Sequence, residues 1–399
     1  MRATVGAQRS TKWLGAVAVF TTALFPFVGY LAPLGFAPLL ALCGLLALPG
    51  LARARPASPP TMALFVLVVW GLISLRWSPA APKIASLRAR GDRGGFTGRK
   101  LLFERALYGA AIASLRQLSE RAARRAAAVL AVGALALAIL VALDGVSGAA
   151  FYQWLRTSIH DPIRPDLAVV KVSIATYALA LLFWPTARIM SGRGWTPAAF
   201  VLLFAVIVAA ISLSADASWA ALAAGFIAFG AVRLFGKVAA RWLVAAVATP
   251  FVVGPVLMLW GVHSGLVAAL HRHVPRSWDA RLDIWAFASD RIQDHAIRGW
   301  GIDASRTFGP AIPLHTHNAA LQLWLELGAV GAALGGVFFS WVAYRIVTLT
   351  GESQEDGAIA AGALVTYLVI GGLSFGVWQE WWLALGALTV IACDISRKD

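Results

Sequence analysis

Pro313-Leu314-His315-Thr316-His317-Asn318-Ala319-Ala320-Leu321-Gln322-Leu323-Trp324-Leu325-Glu326-Leu327-Gly328-Ala329-Val330-Gly331 is where a long polar segment runs back into an apolar one. Two His, an Asn, a Gln and a Glu crowd into a chain otherwise poor in polar groups. Read as a helix from about His317, the stretch puts Asn318, Gln322 and Glu326 at i, i+4 and i+8, on one face. From Leu325 the apolar run continues to about Thr348, long enough to cross a bilayer. A polar stripe entering a membrane is costly, so it faces a bundle interior or a wet cavity and has a job. Thr316 reads as the N-cap, which puts His317 in the first helical turn. The positive end of the helix dipole favours a neutral imidazole there and attracts anions. A neutral His beside an anion site is what a general base for a phosphate-linked substrate needs.

Working outward, the rest of the chain repeats the apolar theme. At 59% hydrophobic and 13% charged over 399 residues, it has more apolar runs than a water-soluble core needs, which marks a polytopic membrane protein. The 17 Trp suit interfacial belts. Windows of about 20 residues give twelve spans, within one or two: 13–30, 33–49, 61–75, 101–115, 126–143, 167–185, 196–213, 218–235, 242–262, 325–348, 358–375 and 381–393. The fold class expected is all-α and polytopic, one integral membrane domain over 1–399. Its long loop, 263–316, is expected on the outer face with short helices and part of the candidate site. The start, Met1 to Lys12 before an apolar run, resembles a signal sequence and is read as a retained first span. With the N-terminus inside, the inner loops hold Arg53/Arg55, Arg116 to Arg125, Arg188 to Arg193, Lys237/Arg241 and Arg397/Lys398, as the positive-inside rule asks. One loop breaks the rule. Arg76 to Lys100 is strongly basic yet falls outside, so either the span after it is not a span or its charge serves an anionic ligand.

The net charge of +15 sits mostly between apolar runs, which suits anionic headgroups, phosphates or glycolipids. Nucleic acid is the poorer partner, because no soluble basic domain is visible. Cys43 and Cys393 both lie in apolar segments, so neither a disulfide framework nor a thiolate metal site is expected. His271, His273, His315 and His317 could share a zinc ion, but they lack a carboxylate or thiolate partner and a ligand spacing pattern, so no metal and no cofactor are expected. Arg281 and its neighbours either belong to a solvated amphipathic helix lying on the membrane surface or fork onto a diphosphate. Arg272 and Arg276 are alike in kind. Lys171 and Arg164 flank the outer end of the sixth span, where Lys171 either snorkels to headgroups or joins a phosphate-binding cluster. His317 itself is either a satisfied interfacial histidine or a base. Gln322 and Glu326 read as structural, bracing the loop-to-helix join.

His317-Asn318, nine residues, Gly328, two residues, Gly331 resembles the signature of the O-antigen ligase and polysaccharide polymerase family. The upstream Arg281…Trp285 and Arg298-Gly299-Trp300-Gly301 look like that family's long periplasmic loop. The resemblance covers about Ser277 to Gly331 by motif and the remainder by span count and loop placement. It implies a GT-C-like, metal-independent, inverting glycosyltransferase in the bacterial inner membrane, with both termini cytoplasmic. The implied donor is a glycan on undecaprenyl diphosphate, and the implied acceptor, for a ligase, is a hydroxyl of lipid A-core. By this likeness His317 is the base or acceptor-positioning group and Arg281 a diphosphate binder. His315, Asn318, Arg276, Lys171 and Arg164 are the further substrate-binding candidates. One departure stands out. Many members carry an arginine in the turn that here reads Ser212-Leu213-Ser214-Ala215-Asp216-Ala217-Ser218-Trp219. The motif does not separate ligase from polymerase. A lipid-linked-glycan transporter is the reading from another class, disfavoured because the polar residues gather at one face rather than at mid-membrane.

Overall fold

The apolar runs become helices because a bilayer leaves backbone N–H and C=O groups no partner but each other. The computed structural model describes residues 2–53, 59–81, 93–274 and 276–399. Its α-helices are α1 (Arg2–Leu31), α2 (Phe36–Ala47), α3 (Pro59–Ser74), α4 (Arg93–Leu115), α5 (Glu120–Val146), α6 (Ala150–Ser158), α7 (Pro165–Gly192), α8 (Thr196–Ser212), α9 (Asp216–Phe235), α10 (Lys237–His263), α11 (Leu266–His271), α12 (Arg276–Asp294), α13 (Ala319–Glu352), α14 (Gln354–Leu373) and α15 (Glu380–Ser396). No strand occurs among the described residues. Eight of the helices are long and apolar enough to cross a membrane, and α8 and the apolar part of α3 (Thr61–Ser74) are shorter apolar helices. The protein is an all-α polytopic membrane protein.

Helices run past the apolar windows wherever charged residues continue the backbone ladder into the interface. Thus α5 begins at Glu120 rather than Ala126, its N-terminus capped by the Ser119 side chain. The weak fourth span is a continuous helix from Arg93, and its Lys100 is ion-paired with Glu380 of α15. The largest core gathers residues of α1, α2, α5, α7, α8 and α15. At one crossing Trp184 of α7 is buried between Gly225 of α9 and Gly362 of α14, and its indole donates to Thr366 Oγ1 at 2.9 Å. A Cβ on either glycine would meet the Trp184 ring at 2.6 Å. Small residues here let three helices close on one large side chain.

The connections sort onto two faces. On one, Lys398 reaches the Arg116 and Leu118 carbonyls, Arg193 pairs with Asp399, Arg188 with Glu355 and Asp356, and Gln354 with the Val232 and Arg233 carbonyls. On the other lie the α5–α6 turn, the 264–318 segment and the 374–379 loop. There the C-terminal end of α3 joins the 264–318 segment. Ile302 N donates to Ser74 Oγ at 3.0 Å, Ser78 Oγ donates to the Ile302 carbonyl at 2.7 Å, and Trp77 Nε1 to the Gly299 carbonyl at 3.1 Å. The basic segment that follows α3 therefore starts on the same face as the long loop. Its Lys83, Arg88 and Arg90 lie outside the described residues, as does Arg55.

Candidate active site

The long loop is anchored by a break in α13. Gly328 sits at φ 65°, ψ −163°, in a region only glycine occupies readily. The break frees carbonyls and N–H groups that a helix would pair internally, and each finds another partner. Trp300 N donates to the Leu325 carbonyl at 2.9 Å and Gly301 N to the Glu326 carbonyl at 2.7 Å. Trp70 Nε1 donates to the Leu327 carbonyl at 3.0 Å. Ala329 N and Val330 N turn instead to the Ala296 and Ile297 carbonyls. A Cβ on Gly328 would lie 2.2 Å from the Ile297 oxygen, and one on Gly299 would lie 2.4 Å from the Glu326 oxygen. The two glycine motifs of the sequence are thus two halves of one joint.

Beneath the joint, the polar stripe is internal. Glu326 is fully buried and accepts from Ser305 Oγ (2.6 Å), Asp303 N (2.9 Å), Trp378 Nε1 (2.6 Å) and Gln322 Nε2 (2.9 Å). Gln322 Oε1 accepts from Val377 N at 2.9 Å. Their contacts are the bracing ones read from the sequence. They tie α13 to both the long loop and the 374–379 loop.

The start of α13 differs from the expectation in one respect. Asn318, not Thr316, is the N-cap: its Oδ1 accepts from Leu321 N at 3.0 Å. Thr316 turns away, donating through Oγ1 to the Asn318 carbonyl at 2.7 Å. His317 therefore precedes the helix, at φ 52°. A left-handed backbone costs a non-glycine residue about 1–2 kcal/mol, so something must hold it there. The His317 N–H donates to His315 Nδ1 at 3.1 Å. Its ring is 2.8 Å, through Nδ1, from the Ser374 carbonyl. A carbonyl only accepts, so Nδ1 carries the proton and Nε2 the free lone pair. Burial pulls the His317 pKa below its ordinary value. The Ser374 bond pulls the other way, and the Arg281 charge adds to the depression. The ring is neutral at neutral pH, with its basic nitrogen uncommitted.

Arg281 reaches the site through α12. That helix buries Leu282, and it buries Ile284, Ala288 and Ile292 in a cluster with Ile312, Leu321 and Leu325. It packs on α13 rather than floating on a surface. Trp285, one turn on from Arg281 and on the same face, donates through Nε1 to the Thr316 carbonyl at 2.9 Å. Arg281 is half-buried, its guanidinium 5.6 Å from the Trp278 ring centre. Burial lowers its pKa while the nearby Tyr177 and Asp216 raise it. Among the described residues no carboxylate comes within ion-pairing distance of it.

The other candidates are distributed unevenly. His315 is buried beside His317, ring centres 4.2 Å apart, and burial first, then His317 and Arg306, lower its pKa to about 3. Arg164 is exposed and paired fork to fork with Asp166, at 3.1 and 2.6 Å. Lys171 is exposed on α7. The Arg276 side chain lies outside the described residues. His271 is bound to Asp279 and lies 3.5 Å from Asp283, away from the His315–His317 pair, and no group of three metal-ligating side chains forms among the described residues. The Asp216 turn, which holds no arginine, brings a carboxylate into the field of Arg281.

Residues 198–335 match the O-antigen ligase family. The resemblance read from His317-Asn318…Gly328…Gly331 is therefore shown, and the matched segment holds Arg281, His315 and His317. A protein of Rickettsia typhi, named provisionally as a polysaccharide ligase, is 26% identical over 237 residues, 55% of this chain and 57% of its own. A Rickettsia bellii protein with the same provisional name is 31% identical over 135 residues, 30% of this chain and 32% of its own. One of Rickettsia conorii is 28% identical over 134 residues, again 30% and 32%. The chain thus spans a third to somewhat over half the length of these relatives. The O-antigen ligase family match stops short of the 374–379 loop, which supplies Ser374 and Gln379. Sequence reasoning passed over both, since neither stands out in an apolar hairpin. The Trp378-Gln379-Glu380 cluster between two spans was the available signal.

Proposed function

We propose that this protein is an O-antigen ligase-like glycosyltransferase, moving a glycan from undecaprenyl diphosphate to a hydroxyl of lipid A-core. The reaction takes place at the periplasmic face of the inner membrane, with both termini cytoplasmic. What supports this most is one arrangement: a neutral His317 whose Nδ1 proton is committed to Ser374, leaving Nε2 free, in the field of an Arg281 that has no ion-pair partner among the described residues. In this reading the acceptor hydroxyl gives its proton to His317 Nε2 as its oxygen forms a bond to the anomeric carbon. The bond from that carbon to the diphosphate breaks, and the leaving diphosphate keeps the electron pair and its charge beside Arg281. Attack from the face opposite the diphosphate inverts the centre. The donor already carries a good leaving group, so cations can offset its charge without a metal. Asn318, Lys171, Arg164 and Arg276 remain substrate-binding candidates, with Arg164 the weakest because Asp166 already neutralises it.

A polymerase of the same fold would use the same groups on a carrier-linked acceptor. The experiment that separates the two is a deletion strain with its lipopolysaccharide run on a gel. Long chains absent from the core, with carrier-linked polymer accumulating, is the ligase result. Core bearing one repeat is the polymerase result. Complementation by the wild type and not by His317→Ala ties the outcome to the site.

A further inference from the structure

Both ring nitrogens of His315 are spoken for, and together they determine what His317 can do. Nδ1 accepts the His317 N–H at 3.1 Å, so the neutral His315 ring carries its proton on Nε2. The amide nitrogen of Gln379 is placed 3.1 Å from that Nε2, and two donors cannot share the contact, so the amide is turned over. It must present its oxygen there, which also gives Gln379 Oε1 the partner it otherwise lacks. Gln379 is itself fixed. It is the N-cap residue of α15, its carbonyl accepts from Trp382 N and Leu383 N at 3.0 Å, and its neighbour Glu380 is ion-paired with Lys100. The same loop carries the Ser374 carbonyl that fixes the His317 tautomer. Its approach is close: a Cβ on Gly376 would lie 3.1 Å from His315 Cγ and 3.0 Å from Gln322 Oε1.

We infer that His315 and Gln379 are positioning residues, which hold His317 in the left-handed backbone conformation that lets Ser374 select the tautomer with a free Nε2. The order of control runs from Gln379, which sets the His315 tautomer, to His315 Nδ1, which holds the His317 backbone, to the His317 ring. His315, expected from the sequence as a substrate binder, has no nitrogen left for substrate. The inference rests on His317 acting as the base, and its test keeps the two apart.

Two measurements on the full chain in detergent or nanodiscs do this. The first is steady-state transfer from carrier-linked glycan. His315→Phe lowers kcat by about 10–100-fold, the usual effect of losing an orienting partner of a functional His, with KM for donor and acceptor little changed. His315→Gln, which keeps an oxygen able to accept the His317 N–H, restores most of it. A rise in KM with kcat preserved would return His315 to substrate binding and overturn the inference. The second is the 15N spectrum of the imidazoles, with His317 identified by its loss in His317→Gln. The wild type shows His317 protonated on Nδ1 and bare on Nε2, and Gln379→Leu mixes in the other tautomer. A His317 tautomer unmoved by Gln379→Leu and His315→Phe overturns the inference whatever the activity. If His317→Ala retains transfer while the spectra behave as described, it is the base assignment that fails and the positioning that stands.

Discussion

At the scale of the residue, the proposed chemistry turns on two groups read from the sequence, His317 and Arg281, and on one backbone conformation that only the structure carries. His317→Ala removes the proposed base, and a general base contributes about 10²–10⁴-fold, so kcat should fall by that factor while the protein still inserts and folds. Retained turnover would take His317 out of the mechanism. In the proposed reaction Arg281 serves by charge as well as shape, so Arg281→Lys should keep part of the donor affinity that Arg281→Ala loses, read as KM for the carrier-linked donor. The pH profile tests the His317 environment. Its pKa is depressed by burial, so the acidic limb of kcat/KM should lie below the ordinary histidine value near 6.5. A limb at or above that value would contradict a buried, Nδ1-protonated ring. His315 makes a matching stability statement. Its folded pKa of about 3 lies below the unfolded 6.5, so between those values the unfolded chain binds more protons. Its contribution is fully present above about pH 6.5 and is lost as pH falls toward 3. His315→Gln should flatten the melting temperature across that window. The sequence brought out His317, His315 and Arg281 because polar residues are rare in such a chain. It misplaced the helix start by two residues, because Thr and Asn are both good caps and only the backbone decides between them.

At the scale of the element, the decisive feature is the broken α13. Hydropathy reads one span there, since Gly328 and Gly331 interrupt nothing apolar. The insertion of 296–301 into the break is invisible to periodicity because it is a long-range pairing of two glycine motifs. Gly328→Ala places a Cβ 2.2 Å from the Ile297 oxygen at a backbone angle that side chains rarely adopt. The cost should exceed about 3 kcal/mol, enough to abolish a cooperative melt or the folded yield, where an ordinary helix glycine would gain from alanine. A well-folded Gly328→Ala protein would mean α13 is continuous. Glu326 is the companion test. Its oxygens face four donors, so Glu326→Gln turns an amide N–H₂ against at least one of them and should cost about 1–3 kcal/mol in thermal unfolding. The donor KM of the surviving folded fraction should stay near wild type, since no part of Glu326 is exposed to a ligand.

At the scale of the whole molecule, the all-α polytopic class was legible because the bilayer forces it, whereas of the twelve spans read from hydropathy eight are helices long and apolar enough to cross and two are shorter apolar helices, among the described residues. Each crossing needs about 20 apolar residues, and Arg116, Arg188, Arg193, Arg397 and Lys398 gather on one face of the helices. What hydropathy could not supply was the side of the 76–100 segment, where charge and span parity conflict. Packing decides it: Ser74, Trp77 and Ser78 bond to Gly299 and Ile302, so that segment leaves α3 on the face that carries His317. The cation excess there makes physical sense if that face handles diphosphates, because the charge is then held against the insertion rule by a ligand it serves. Membrane sidedness follows from the same two faces and can be read directly. In a background lacking Cys43 and Cys393, single cysteines at Asp161 and Arg272 lie on the His317 face, and those at Arg121 and Glu352 on the opposite one, all four exposed. A membrane-impermeant maleimide added to spheroplasts should label the first pair at once and the second pair only after lysis. The reverse pattern would put His317 in the cytoplasm, where no glycan finished on its carrier awaits transfer, and the proposed reaction would have to be abandoned even though the fold stood unchanged.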